Sequence, residues 1–128
     1  MDVPLACVGV AFLLVYAPRI VVARGQAKLG YDNRNPRDQQ AKLEGMPRRA
    51  QAAHQNGFET FAPFAAAVLA CELRGADATW TTRLAIVFVV ARALYIAAYL
   101  GDKASLRSTI WTIGFGAVGV LFWLAIDR

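Results

Sequence analysis

The stretch WTTRLAIVFVVARALYIAAYLGDKASLRSTIWTIGFGAVGVLFWLAI (80–126) decides the fold. It holds two apolar runs, each close to the roughly 20 residues a helix needs to cross a hydrocarbon core of about 30 Å. Only Gly101-Asp102-Lys103-Ala104-Ser105 separates them, so the two helices must run antiparallel as neighbours. Outward from this hairpin, two further apolar segments predict spans over 3–22 and 47–73, beside those over 80–100 and 106–126. The expected architecture is an all-α integral membrane protein, a single four-transmembrane-helix bundle covering 1–128 with no room for a soluble domain.

Composition agrees. The chain has 128 residues, 57% hydrophobic and 18% charged, with a mean hydropathy of +0.38. The charges crowd the gaps between apolar runs rather than spreading over a soluble surface. A formal net charge of +5 could point to nucleic acid, but the bases sit in loops beside spans, where membrane orientation explains them; no nucleic-acid partner is expected. Arg24, Lys28, Arg34, Arg37, Lys42, Arg48 and Arg49 fill the first polar segment, and Lys103 and Arg107 adjoin the last turn. Arg74 and Arg83 alone flank the middle connection. The positive-inside rule therefore places 24–49 and 101–105 in the cytoplasm and both termini opposite. The acidic start Met1-Asp2-Val3-Pro4 lacks a basic n-region, so the first span reads as a retained helix. Cys7 and Cys71 stand alone in apolar runs and read as small buried hydrophobes, and the single His54 has no companions to build a metal site.

Ionisable groups inside the spans carry the chemistry. At about 100° per residue, Arg49, Asn56, Glu59 and Pro63 share one face of the second span, while His54 points away from it. A carboxylate at this depth must be paired or reach a polar cavity. Arg49 lies too far along the helix to pair with Glu59, so the partners must come from other helices. The third span offers Arg92, Tyr95 and Tyr99 at i, i+3 and i+7, and the fourth opens with Arg107-Ser108, with Trp111 one turn on. Taken singly, such groups act as interhelical glue worth about 0.6 kcal/mol each, or as interfacial aromatics. Their convergence at one depth from three helices argues for a site.

Three segments in register carry a resemblance: RAQAAHQNGFETFAPF (49–64), ARALYIAAYLG (91–101) and LRSTIW (106–111). Together they resemble the membrane-associated proteins in eicosanoid and glutathione metabolism, the MAPEG family, over essentially the whole chain. The resemblance implies a homotrimer of four-helix bundles with glutathione as co-substrate, bound between subunits near the cytoplasmic face. By it, Asn56, Glu59 and Tyr99 match glutathione contacts, and Arg107 matches the arginine that stabilises the glutathione thiolate, with Ser108 as a neighbouring hydroxyl. Either Arg24 or Lys28 matches a first-helix base that meets a glutathione carboxylate. Arg49, His54, Arg92 and Tyr95 complete the candidate binding set. The chain departs from the pattern at Arg48, Ala52, Tyr95 and Trp111, where the family commonly carries an acid, a second arginine, a histidine in one branch, and a tyrosine.

The implied activity is a glutathione transferase or peroxidase acting on lipophilic electrophiles or lipid hydroperoxides, in a small, loop-poor bacterial inner-membrane form. Two rivals stand beside it: a non-catalytic lipid-binding protein of the same fold, and a small proton-coupled transporter using Glu59.

Overall fold

The computed structural model describes residues 2–127 as six helices. The first apolar run forms α1 (Val3–Tyr16) and α2 (Arg19–Lys28), one rod broken at Pro18. Proline has no N–H for the carbonyl four residues back, and its ring crowds that carbonyl. Asp2 caps α1 through a bond from the Leu5 N–H to its carboxylate, 3.0 Å. A short α3 (Pro36–Ala41) lies in the polar segment. The long helices α4 (Gly45–Arg74), α5 (Ala78–Leu100) and α6 (Ala104–Ile126) follow.

One expectation needs correction. The polar segment is not a loop from 24 to 49: α2 continues through Lys28 and α4 begins at Gly45, so Arg24, Lys28, Arg48 and Arg49 are helical. Helix α2 persists because Val22, Gly25 and Gln26 are buried against the bundle, leaving Arg24 and Lys28 in the open on the other side. The first rod thus runs over Val3–Lys28 rather than stopping at Val22, and the second helix outruns its expected bounds at both ends. By length and composition, three rods among the described residues are apolar enough to cross a membrane: Val3–Lys28, Ala78–Leu100 and Ala104–Ile126. Helix α4 is longer than any of them at 30 residues. Its first half, however, carries Arg48, Arg49, Gln51, His54, Gln55, Asn56 and Glu59, which dilute its apolar character.

Helix α4 packs against α1, α2, α5 and α6, while α5 and α6 form the closely packed hairpin expected of their short connection. The core is built of small side chains around two large ones. Ala11, Ala67, Ala85 and Ala125 let the helices approach, and the rings of Phe64 and Phe88 stack at 3.9 Å between centroids. Beside the polar half of α4, Gly57 lies so close to α1 that a Cβ there would meet Val15 Cα at 3.2 Å. The outside is apolar too: Leu13, Ile20, Leu73, Trp123 and Ile126 are each more than half exposed, a surface suited to lipid rather than water.

Both closing turns are Schellman motifs. After α4, the Gly75 N–H bonds the Glu72 carbonyl and the Ala76 N–H the Cys71 carbonyl, with Gly75 at φ 65°. After α5, Asp102 bonds Tyr99 and Lys103 bonds Ala98 in the same pattern. Here the left-handed residue is Asp102, at φ 58°, not the neighbouring Gly101. This turn sets the start of α6, and with it the position of Arg107.

Candidate functional site

Six of the sequence-derived candidates join in one network across α4, α5 and α6. Asn56 Nδ2 donates to Glu59 Oε2 at 3.0 Å, one turn along the same helix. Arg92 Nη1, from α5, donates to Asn56 Oδ1 at 3.0 Å. Asn56 is suited to this place because its amide offers a donor on one side and an acceptor on the other. It links a guanidinium and a carboxylate that lie on different helices.

Arg92 is only 6% exposed and Tyr95 5%. A buried cation needs compensation, and Arg92 has it twice: the bond to Asn56, and the face of Tyr95, whose centroid lies 4.2 Å from the guanidinium carbon. Tyr95 meets Tyr99 edge to face at 5.6 Å, and Arg107 lies over the Tyr99 ring at 4.5 Å. The order Glu59–Asn56–Arg92–Tyr95–Tyr99–Arg107 therefore forms an unbroken series of contacts. It runs from an exposed carboxylate, through a buried arginine, to a half-buried arginine at the loop end of the bundle. Ser108 follows on α6, exposed, its carbonyl accepting the Thr112 hydroxyl at 3.0 Å. Trp111, one turn on, stacks on Phe115 at 4.9 Å.

Arg49 belongs to the same end but has a different partner. Its Nη2 donates to the Leu100 carbonyl at 3.2 Å, a cation placed at the negative end of α5. Its Nε is buried and has no partner among the described residues. The Arg49 bond fixes the last turn of α5, which carries Tyr99.

The remaining candidates lie elsewhere within the chain. His54 bonds the Val15 carbonyl through Nδ1 at 2.6 Å and packs its ring against Tyr16 and Phe58. It belongs to an aromatic stripe of Phe12, Tyr16, Phe58 and Phe61 between α1 and α4. Arg24 and Lys28 are exposed on α2 and bond to none of the network side chains among the described residues. Sequence reasoning also missed the second role of Asn56. The face it shares with Glu59 was legible, but the bond to Arg92 depends on how α4 and α5 sit together.

A helical bundle with an apolar exterior and ionised groups threaded between its helices defines an integral membrane protein with an internal polar network. The chain belongs to the MAPEG family, whose family model matches residues 3–127. Members of that family are membrane-associated proteins of eicosanoid and glutathione metabolism and generally use glutathione. No curated protein and no solved structure matches the chain.

Proposed function

We propose that this protein is a glutathione-dependent transferase or peroxidase of the membrane, acting on lipophilic electrophiles or lipid hydroperoxides. The observation that carries the reading is the continuous series from Glu59 to Arg107, which pairs a carboxylate at one end with an arginine at the other. When bound, glutathione supplies a thiolate nucleophile beside a phase in which apolar electrophiles dissolve, so proximity contributes much of the rate.

The residues fit such a ligand. Glu59 is exposed and able to meet an ammonium, and Arg107 is half-buried and able to favour a thiolate over a thiol. Arg49 Nε is a buried donor without a hydrogen-bond partner among the described residues. Asn56 and Arg92 hold Glu59 in place, Tyr95 and Tyr99 form the wall between the two ends, and Ser108 adds a hydroxyl beside Arg107. Arg24 or Lys28, with His54, serves the site from a neighbouring subunit of a homotrimer. Helix α4 is the fourth span, its polar half at the cytoplasmic end of the bundle. Segments 24–49 and 101–105 lie on that side of a bacterial inner membrane, and the whole chain acts as one domain.

The test is glutathione binding by the purified protein, read by the ultraviolet absorbance of the thiolate. The wild type binds at millimolar glutathione and shows the thiolate band; Arg107→Ala keeps binding but loses the band. Failure to bind at that concentration overturns the enzyme reading and favours the lipid-binding one. Proton-coupled efflux from vesicles that depends on Glu59 favours a transporter instead.

A further inference from the structure

The first rod breaks at Pro18, which has no N–H for the carbonyl of Leu14 four residues back. Such a break persists inside a membrane bundle where neighbouring helices, hydroxyls or ordered water satisfy the freed group. The next carbonyl, that of Val15, takes His54 Nδ1 at 2.6 Å. Among the described residues no side chain donates to the carbonyl of Leu14.

Leu14 borders a small cavity where three helices meet. Leu14 and Val15 of α1, Gly57 and Thr60 of α4, and Phe88 and Arg92 of α5 enclose about 10 Å³. Helices α1, α4 and α5 all pack on one another around it, and Val15, Thr60, Phe88 and Arg92 are buried. About 10–15 Å³ of such space holds one water molecule. The cavity therefore takes one and no more.

Its walls bring polar groups to spare. A guanidinium carries five N–H donors, and among the described residues the one hydrogen bond of Arg92 runs from Nη1 to Asn56. The Thr60 hydroxyl gives its proton to the Asn56 and Gly57 carbonyls, at 3.1 and 3.3 Å, which leaves its oxygen able to accept. A second cavity of the same size lies on the α6 side of Arg92, beside Ile110, Trp111, Gly114 and Phe115. Its walls are almost all carbon, and a cavity of that kind stays dry.

We propose that the first cavity binds one internal water, which accepts from an Arg92 N–H and donates to the Leu14 carbonyl and to Thr60 Oγ1. Three bonds are the usual number for a buried water. The water gives the buried cation a further partner and ties the break in the first rod to α4 and α5. The series from Glu59 to Arg107 runs through α4, α5 and α6 alone; the water extends it to α1. The site does not depend on which ligand that series binds.

The direct test is a structure of the purified full chain at a resolution that shows ordered water. A peak is expected at about 2.7–3.2 Å from the Arg92 guanidinium, the Leu14 carbonyl and Thr60 Oγ1. A cavity without density, where surface waters are clear, overturns the proposal. Thermal unfolding in micelles gives an independent reading through Ala11→Val, because Ala11 also lines the cavity and is buried. Its added methyls displace the water and lower the unfolding midpoint, whereas filling a dry cavity raises it. Overpacking strain also lowers a midpoint, so the same step is taken in Arg92→Met. There the guanidinium that needs an acceptor is gone, and the drop shrinks; strain alone lowers the midpoint equally in both backgrounds. Equal drops, or a raised midpoint in the wild-type background, overturn the proposal. If Ala11→Val does not fold, the structure of the wild type decides alone.

Discussion

Arg92 sits between helices because Asn56 gives it an acceptor and Tyr95 a π face. Removing Asn56 strands a buried cation, and an unsatisfied charged donor costs more than the net gain of the bond it made. Asn56→Leu should therefore lower stability by about 2–3 kcal/mol, measured by denaturant unfolding in micelles. In Asn56→Leu/Arg92→Met the cation is gone as well, and much of that loss should return; two additive losses would mean that the bond contributes independently of the buried charge. This pair was half legible in the sequence. An ionisable group within an apolar run announces that it needs a partner, which is why Glu59 and Arg92 stood out. Arg49 was legible as a buried base, but not its partner, because the Leu100 carbonyl is a backbone acceptor that every residue carries. Arg37 and Arg48 read as topogenic charge, and only the fold of the segment 29–44 reveals that they line one groove with Arg19.

At the level of elements, apolar run length fixes α5 and α6 to within two residues, because nothing but Gly101-Asp102-Lys103-Ala104-Ser105 competes with helix between them. The first polar segment was less legible. Its bases, glycines and prolines are those of a loop, yet the burial of Val22, Gly25 and Gln26 carries α2 on to Lys28. Tertiary packing overrode local composition there. The turn after α5 holds a local strain that sequence reading would assign to Gly101. The left-handed residue is Asp102, which lies at φ 58° and carries a Cβ. Asp102→Gly should relieve that strain and raise stability by about 0.5–1 kcal/mol, read as a higher unfolding midpoint with an unchanged denaturant slope. A lower midpoint would mean that the Asp102 side chain contributes more to the turn than its backbone costs. Because the turn positions Arg107, the same variant also tests whether the loop end of the bundle tolerates a more flexible residue.

The whole molecule raises the question of how many chains make one site. Glu59, Asn56, Arg92, Tyr95, Tyr99 and Arg107 meet within a single chain. Arg24 and Lys28 are on α2, exposed and turned away from the bundle, so on the reading proposed above they serve a neighbour. Cyclic homo-oligomers with heterologous interfaces make this testable, since each site then draws on two different chains. Arg107→Ala alone and Arg24→Ala/Lys28→Ala alone should each abolish glutathione-dependent turnover. Co-expressed in equal amounts and purified as mixed oligomers, the two defective chains should recover it. A site is intact when its Arg107 comes from one variant and its α2 bases from the other, which random mixing gives for about one site in four. Recovery to about a quarter of wild-type turnover, absent when the separately purified variants are simply combined in detergent without exchange, would establish a shared site. No recovery in the mixed oligomers would place all catalytic groups within one chain. It would also leave the outward-facing bases of α2 to the membrane surface, where their charge favours anionic lipid.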